Sequence, residues 1–368
     1  MIYLLVNNDY HLYDFQNLAH SFEIGEITLI KVPHNLGKGK INRTFKSEFT
    51  YPYFFSGLKS ILNYGTIKKV QGQIDDDIFP NSGDTLLVYT EYELLNQYII
   101  QKFADVNANI WLMEDGLATM ALFNMKSEKL PFKLQLLQLV MRKIYGYKNL
   151  EMIYDGANGF PIMKDLLFRG VLVSLGKKIK RKIPLIRVSK NIEKMDALKA
   201  NAAIFLNEDL YNFYCDFPTY IHYLSEFLTE ASANFEVLFF KFHPRETEEL
   251  KKSISQILLN YPNVIIIEQS ELLIEEIIDQ YRPKFAISFL SASSINLSFF
   301  GLEPVYIYHL FEQLSCNSVI DGLTAYLKSI NYNFVPNLAA IRVDFNSNLK
   351  LEGNEVKTIK EVLLNFNS

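Results

Sequence analysis

The side chains best suited to chemistry stand at two places where an apolar run stops. The run Phe235-Glu236-Val237-Leu238-Phe239-Phe240-Lys241-Phe242 ends on His243, and Pro244 then breaks it before a helix-like segment. A second run, ending in Trp111-Leu112-Met113, gives way to the two carboxylates and glycine of Glu114-Asp115-Gly116. An imidazole can give or take a proton near neutral pH, and a carboxylate can act as base toward a hydroxyl. Position favours such roles, because open α/β sheets bind ligands outside the carboxyl ends of their strands. Plainer roles exist beside them. His243 can be a structural hydrogen-bonding residue, Asp115 the cap of a helix beginning near Leu117, and Gly116 the residue that permits the turn.

Two more strand ends follow His243. Val264-Ile265-Ile266-Ile267 runs into Glu268, and Phe285-Ala286-Ile287-Ser288-Phe289 opens into Leu290-Ser291-Ala292-Ser293-Ser294 ahead of a helix. An imidazole, a carboxylate and hydroxyls on consecutive strand ends suit a nucleoside monophosphate. Glu268 would accept from the ribose hydroxyls. Ser291, Ser293 and Ser294, with the amides of the helix start, would hold the phosphate. His243 would stabilise that phosphate as it departs. In the first half, Glu114 is expected to be the base and Asp115 its support; Gly116 beside them, and Pro244 next to His243 in the second half, are expected among the substrate-binding residues.

These residues need parallel strands to carry them. Strand-like runs occur at Ile2–Val6, Glu26–Val32, Thr85–Tyr89 and Ala108–Met113, with helical patterns at Leu12–Phe22 and Tyr92–Ala104. A second series has strands at Ala202–Leu206, Phe235–Phe242, Val264–Ile267, Phe285–Phe289 and Val305–Tyr308. Helical stretches at Tyr220–Ala231, Thr247–Leu259, Leu272–Asp279 and Ser293–Phe299 separate them. Short apolar strands alternating with helices predict α/β architecture, as two Rossmann-like domains facing a cleft. The expected division is 1–200 and 201–368, with a basic helical insertion near 126–200. Within the insertion lie a helix over Leu134–Tyr145, flanked by Lys133, Arg142 and Lys143, and the cluster Lys177–Lys182. That cluster is a solvated face or linker on the plain reading, and a contact for an anionic membrane or acceptor on the functional one. Asn35–Thr50, rich in Gly and Lys, reads as a long functional loop.

Bulk properties narrow the classes. At 368 residues the chain exceeds one ordinary core, and a net charge of −4 gives no global field for nucleic acid. The 28 Phe and 22 Tyr can fill two cores, with a surplus for a sugar or membrane-facing surface. Cys215 and Cys316 lack metal spacing and predict no disulfide framework, in keeping with a reducing cytoplasm. The amino end reads as a first strand rather than a signal peptide, and no apolar run reaches the roughly 20 residues a spanning helix needs. Asp75-Asp76-Asp77 imitates a metal-binding Asp-x-Asp motif but lies in a polar stretch read as a loop. No metal and no cofactor are expected. No G-x-S-x-G elbow supports a serine hydrolase.

An acidic-acidic-Gly motif, a later His-Pro motif and a still later serine pair, in that order, resemble bacterial sialyltransferases with the glycosyltransferase B fold. Here they are Glu114-Asp115-Gly116, His243-Pro244 and Ser293-Ser294. The resemblance lies in motif order and two-domain layout, and the capsule, lipooligosaccharide and polysialic-acid branches share it. It implies inverting transfer of sialic acid from CMP-sialic acid to a glycan hydroxyl, on galactose or sialic acid, in bacterial surface polysaccharide synthesis. An acidic residue of the triplet would be the base, the histidine and serines would bind the CMP phosphate, and Glu268 matches the ribose-binding carboxylate by position. The implied setting is cytoplasmic, with peripheral contact at the inner face of an anionic membrane. Two alternatives stay open: a CDP-glycerol or CDP-ribitol phosphotransferase of the teichoic-acid type, and a non-catalytic glycan-binding protein of the same fold.

Overall fold

The computed structural model describes all residues except 20–26, 36–44, 55–61, 117–123, 125–127, 155–158, 176–178, 213, 245, 316–317, 342–344, 350–355 and 366–368. It divides into two compact units. The first comprises Met1–Asp115, Leu122–Asn191 and Asn354–Ser368, and the second comprises Gly116–Ala121 and Ile192–Gly353.

In the first unit the chain runs β1 (Ile2–Asn8), α1 (Asp9–Leu18), β2 (Ile27–Asn35), β3 (Ser47–Thr50), α2 (Tyr64–Asp77), β4 (Thr85–Val88), α3 (Leu94–Asp105) and β5 (Asn109–Met113). It continues through α4 (Phe132–Ile144), a β6–β7 hairpin (Leu150–Tyr154 and Gly159–Met163), β8 (Phe168–Val173) and β9 (Leu185–Arg187). Seven strands form a parallel sheet in the order β3-β2-β1-β4-β5-β8-β9. The strand order reverses direction between β1 and β4, the point at which open α/β sheets leave room for ligands. Val6, Leu87, Trp111 and Leu172 join one buried cluster with Phe15 of α1. The chain also returns here at its end: Ile359, Val362 and Leu363 of the helix Ile359–Asn365 pack into that cluster, and Lys357 bridges Val188.

Four expectations change here. The boundary falls at 191/192 rather than 200/201, and the last segment groups with the first unit because its apolar helix face fills that core. The stretch 126–200 is not only helical insertion: β8 and β9 extend the sheet, and Gly170 lets β8 approach β5, since a Cβ there would lie 2.8 Å from the Trp111 ring. Part of Asn35–Thr50 is strand β3, while residues 36–44 lie outside the described residues. Asp75-Asp76-Asp77 is the last turn of α2 rather than a loop. Its carboxylates are engaged: Asp75 accepts from Tyr98 and Lys102, and Asp77 accepts from Tyr51.

The basic cluster is divided as well. Lys177 and Lys178 lie outside the described residues, and Lys180 and Lys182 are exposed. Arg181 turns inward, pairing with Glu91 and Asp165 and donating to the Met163 carbonyl. Removing one partner of a buried ion pair strands the other, at a cost of about 3–5 kcal/mol. Arg181→Met is therefore expected to lower the unfolding free energy by about that much in urea titration. Lys180→Met should change it by less than about 0.5 kcal/mol.

The second unit carries β10 (Lys199–Leu206), α5 (Phe217–Asn234), β11 (Val237–Lys241), α6 (Glu248–Leu258), β12 (Val264–Ile266), α7 (Ile274–Tyr281), β13 (Pro283–Ser288), α8 (Ala292–Asn296) and β14 (Glu303–Tyr306). Its five-stranded parallel sheet has the order β12-β11-β10-β13-β14, again reversing between its first and fourth strands in sequence. Ile204, Phe239 and Ala286 form one buried face with Ile277 and Ile278 of α7. The helix expected over Ser293–Phe299 is a five-residue α8 followed by a 3₁₀ turn, Leu297–Phe300.

Candidate functional site

At the carboxyl end of the first sheet, β1, β4 and β5 deliver polar groups to one place. β1 ends in Asn7-Asn8, and Asn8 caps α1 by accepting the His11 N–H at 3.0 Å. That turn brings His11, fully buried, onto the Tyr89 ring at 4.4 Å between centroids. The Asn7 N–H donates to His11 Nδ1 at 3.1 Å, which leaves Nε2 as the protonated nitrogen of the neutral ring. Nε2 lies 2.8 Å from Asp115 Oδ1, so the ring donates to that carboxylate. Thr90 Oγ1 donates to the other oxygen, Oδ2, at 3.2 Å. Two donors from two strand ends thus fix Asp115.

Glu114 differs in its surroundings. It is buried, and its Oε2 accepts the Ser174 N–H at the end of β8 at 2.7 Å. Burial pushes its carboxyl above the usual range, opposed by the Lys190 ammonium and by the backbone N–H groups of Ser174 and Leu175. Behind it, Asp14 pairs with Lys190 and accepts from the Tyr89 hydroxyl at 2.8 Å. The Asp115 side chain retains 16% of its exposure, so of the pair it is the one able to meet a second molecule. Glu93, at the start of α3, is a further carboxylate nearby; burial pushes it up to about 7, a Tyr53 hydrogen bond opposes this, and the charge of Asp115 adds to it. The helix for which Asp115 would be the cap lies outside the described residues.

At the carboxyl end of the second sheet, β11 delivers Phe242-His243-Pro244 and β10 delivers Asn207-Glu208-Asp209. The half-exposed His243 sits in a turn closed by buried Glu246, which accepts the His243 N–H at 3.2 Å and an amide hydrogen of Asn207. Burial pushes Glu246 up to about 7 against those two donors. Lys241, at the last position of β11, is buried and donates to the Ser270 carbonyl at 3.1 Å, and burial pushes it down to about 8. Glu268 is exposed beyond edge strand β12, next to β11. Glu208 accepts the Leu290 N–H at 2.6 Å, tying the end of β10 to the end of β13 where the strand order reverses.

The serine group is less uniform than expected. Ser294 is fully buried and donates to Ser288 Oγ at 2.7 Å, bracing the loop from within rather than facing a ligand. Ser293 hydrogen-bonds the Glu275 carboxylate of α7. Ser291, half-exposed at the strand end, has its N–H 3.1 Å from Ser288 Oγ and its carbonyl taken by the Tyr306 hydroxyl. Gly116 groups with this unit. It has φ +62°, and a Cβ there would come 2.6 Å from the Ala292 Cβ, so conformation and close approach both call for glycine.

His243, Glu268 and Ser291 therefore share one sheet edge, with β11 and β13 separated by two strand spacings, roughly 10 Å. His11, Thr90, Glu93 and Glu208 lie outside the motifs that the sequence displays. The polar runs Asn7-Asn8-Asp9 and Thr90-Glu91-Tyr92-Glu93 at strand ends were the available signal. Among the described residues no three His, Cys, Asp or Glu side chains cluster as a metal site would require.

The model of the family described as alpha-2,8-polysialyltransferase (POLYST) matches residues 5–309. No curated protein matches the sequence. Among solved structures, Methanocaldococcus jannaschii UDP-GlcNAc 2-epimerase in complex with UDP-GlcNAc and UDP is similar over 100% of both chains, at 11% identity and a TM-score of 0.55. A sialyltransferase from Photobacterium damselae, residues of its GT-B domain, is similar over 89% of this chain and 96% of its own, at 11% identity and a TM-score of 0.45. An alpha/beta-galactoside alpha-2,3-sialyltransferase from Photobacterium phosphoreum covers 93% and 99%, at 13% and 0.44. The epimerase likeness is one of fold alone, the two-unit α/β fold of glycosyltransferase B.

Proposed function

The chain belongs to the alpha-2,8-polysialyltransferase family, and from that membership we propose that it is an inverting sialyltransferase using CMP-sialic acid. One joint observation carries the proposal. The Glu114-Asp115-Gly116 and His243-Pro244 motifs both fall within the matched segment, and both stand at carboxyl ends of parallel strands. The acceptor is a glycan hydroxyl, on a terminal sialic acid by the family's description. Surface polysaccharide synthesis in a bacterial cytoplasm is the setting in which we place it.

The placement of these groups supports the following roles. Asp115, oriented by His11 and Thr90, takes the proton of the acceptor hydroxyl as its oxygen attacks the anomeric carbon of the donor. The bond from that carbon to the phosphate oxygen breaks on the opposite side, and CMP departs with the electron pair. His243 donates to the phosphate, Ser291 adds a donor from the end of β13, two strands away, and Glu268 takes the ribose hydroxyls. Glu114 holds the end of β8 beside the base and raises no competing claim on the acceptor. A monophosphate leaving group needs only these donors, so the proposal includes no metal.

Titration of the full chain with CMP, CDP, UMP and UDP in the presence of a chelator tests the donor. CMP is expected to bind most tightly, with affinity unchanged by the chelator. A preference for a uridine nucleotide, or CMP binding that returns only with added Mg or Mn, would contradict the assignment.

A further inference from the structure

We infer that α4 is a membrane-contact element, lying flat on an anionic lipid surface. The helix Phe132–Ile144 is apolar on two opposite faces. Leu134 and Met141 face inward, Leu134 reaching the hairpin at Gly159 and Met152. Phe132, Leu136 and Leu139, spaced i, i+4 and i+7, fall on the other face and are 77%, 50% and 48% exposed. A helix on the surface of a folded unit ordinarily carries one apolar stripe, toward the core, and polar residues opposite it. This one is covered by its own unit on one side only, and among the described residues nothing covers the other.

Charge decides what the occupant is. From Lys129 to Leu150 the chain holds Lys129, Lys133, Arg142, Lys143 and Lys148 and no Asp or Glu. At 100° per residue Lys143 falls between Phe132 and Leu136, and Lys133 lies at the edge of the same face; both are exposed. Lysines beside an apolar stripe let their stems follow the hydrocarbon while the ammonium groups reach lipid phosphates. A second copy set against this face would bring like charges together, which disfavours self-association through it. A polyanionic saccharide would leave the apolar stripe unused. With 13 residues, about 20 Å in length, α4 is too short to cross the hydrocarbon core of about 30 Å, so the contact runs along the surface.

Co-sedimentation of the full chain with vesicles tests this, without any substrate, so the result is independent of the sialyltransferase reading. Binding to phosphatidylcholine vesicles containing phosphatidylglycerol is expected to exceed binding to pure phosphatidylcholine by about tenfold or more, and to weaken as salt rises. Leu136→Gln with Leu139→Gln, and separately Lys133→Gln with Lys143→Gln, should each lower it by about tenfold. Circular dichroism should stay unchanged because these side chains are exposed. Equal binding to both vesicle types, no binding, or full binding by both variants overturns the inference. Sedimentation velocity showing self-association or an acidic protein bound through this face, dispersed by the same substitutions, overturns it too.

Discussion

Asp115→Asn is expected to lower transfer turnover by about 10² to 10⁴-fold while the folded chain still binds CMP. The amide keeps the shape of the carboxylate but cannot take the acceptor proton, and one of its two positions would set an NH₂ against a donor, His11 Nε2 or Thr90 Oγ1. Glu114→Gln should act differently. Its Oε2 accepts a backbone N–H, which an amide oxygen also does, and the loss is in the balance with Lys190. Turnover should then fall by much less than for Asp115→Asn, with any effect accompanied by lower stability. Steady-state kinetics on both folded variants, with CMP affinity measured alongside, separates the cases. Near-normal turnover in Asp115→Asn with an inactive Glu114→Gln would make Glu114 the base.

His243→Ala is expected to weaken CMP binding by about 10 to 100-fold and to lower turnover at least as much, because a hydrogen bond to a charged group contributes about 1.5–3 kcal/mol. The loss should exceed that in binding if His243 also meets the charge that develops on the departing phosphate. The turn itself is held by Glu246 through the backbone N–H of His243, so replacing the ring leaves the loop's internal bond in place. Calorimetry with CMP and kinetics with the donor check the two halves. Unchanged CMP affinity in folded His243→Ala would remove this residue from the nucleotide site.

The strand ends were legible because a parallel strand buried on both faces writes itself as an unbroken apolar run, as in Trp111-Leu112-Met113 and Leu238-Phe239-Phe240. Residues just past such a run sit at the sheet edge whatever their partners, so Glu114, Asp115 and His243 could be placed before any contact was known. Which of two adjacent carboxylates stays partly exposed was not legible. That depends on Ser174, 60 residues away, and on His11, 104 residues away, through bonds that no local pattern announces. Arg181 was misread as part of a surface cluster for the same reason: its partner Glu91 is 90 residues distant. The serine run hid a comparable split, since Ser294 is drawn inward by Ser288 while Ser291, three residues earlier, remains half-exposed. The chain's return to the first unit rests on three apolar side chains, Ile359, Val362 and Leu363, whose destination is set by packing rather than by periodicity.

The most direct test of the central claim is product analysis. The purified chain, incubated with CMP-sialic acid and a panel of sialosides and galactosides under chelation, should release CMP and extend an acceptor by the mass of one or more sialic acid residues, with inversion at the anomeric carbon. A folded chain that binds CMP yet neither releases it from the donor nor extends any acceptor, or that instead transfers glycerol or ribitol phosphate from the corresponding CDP donor, would contradict it.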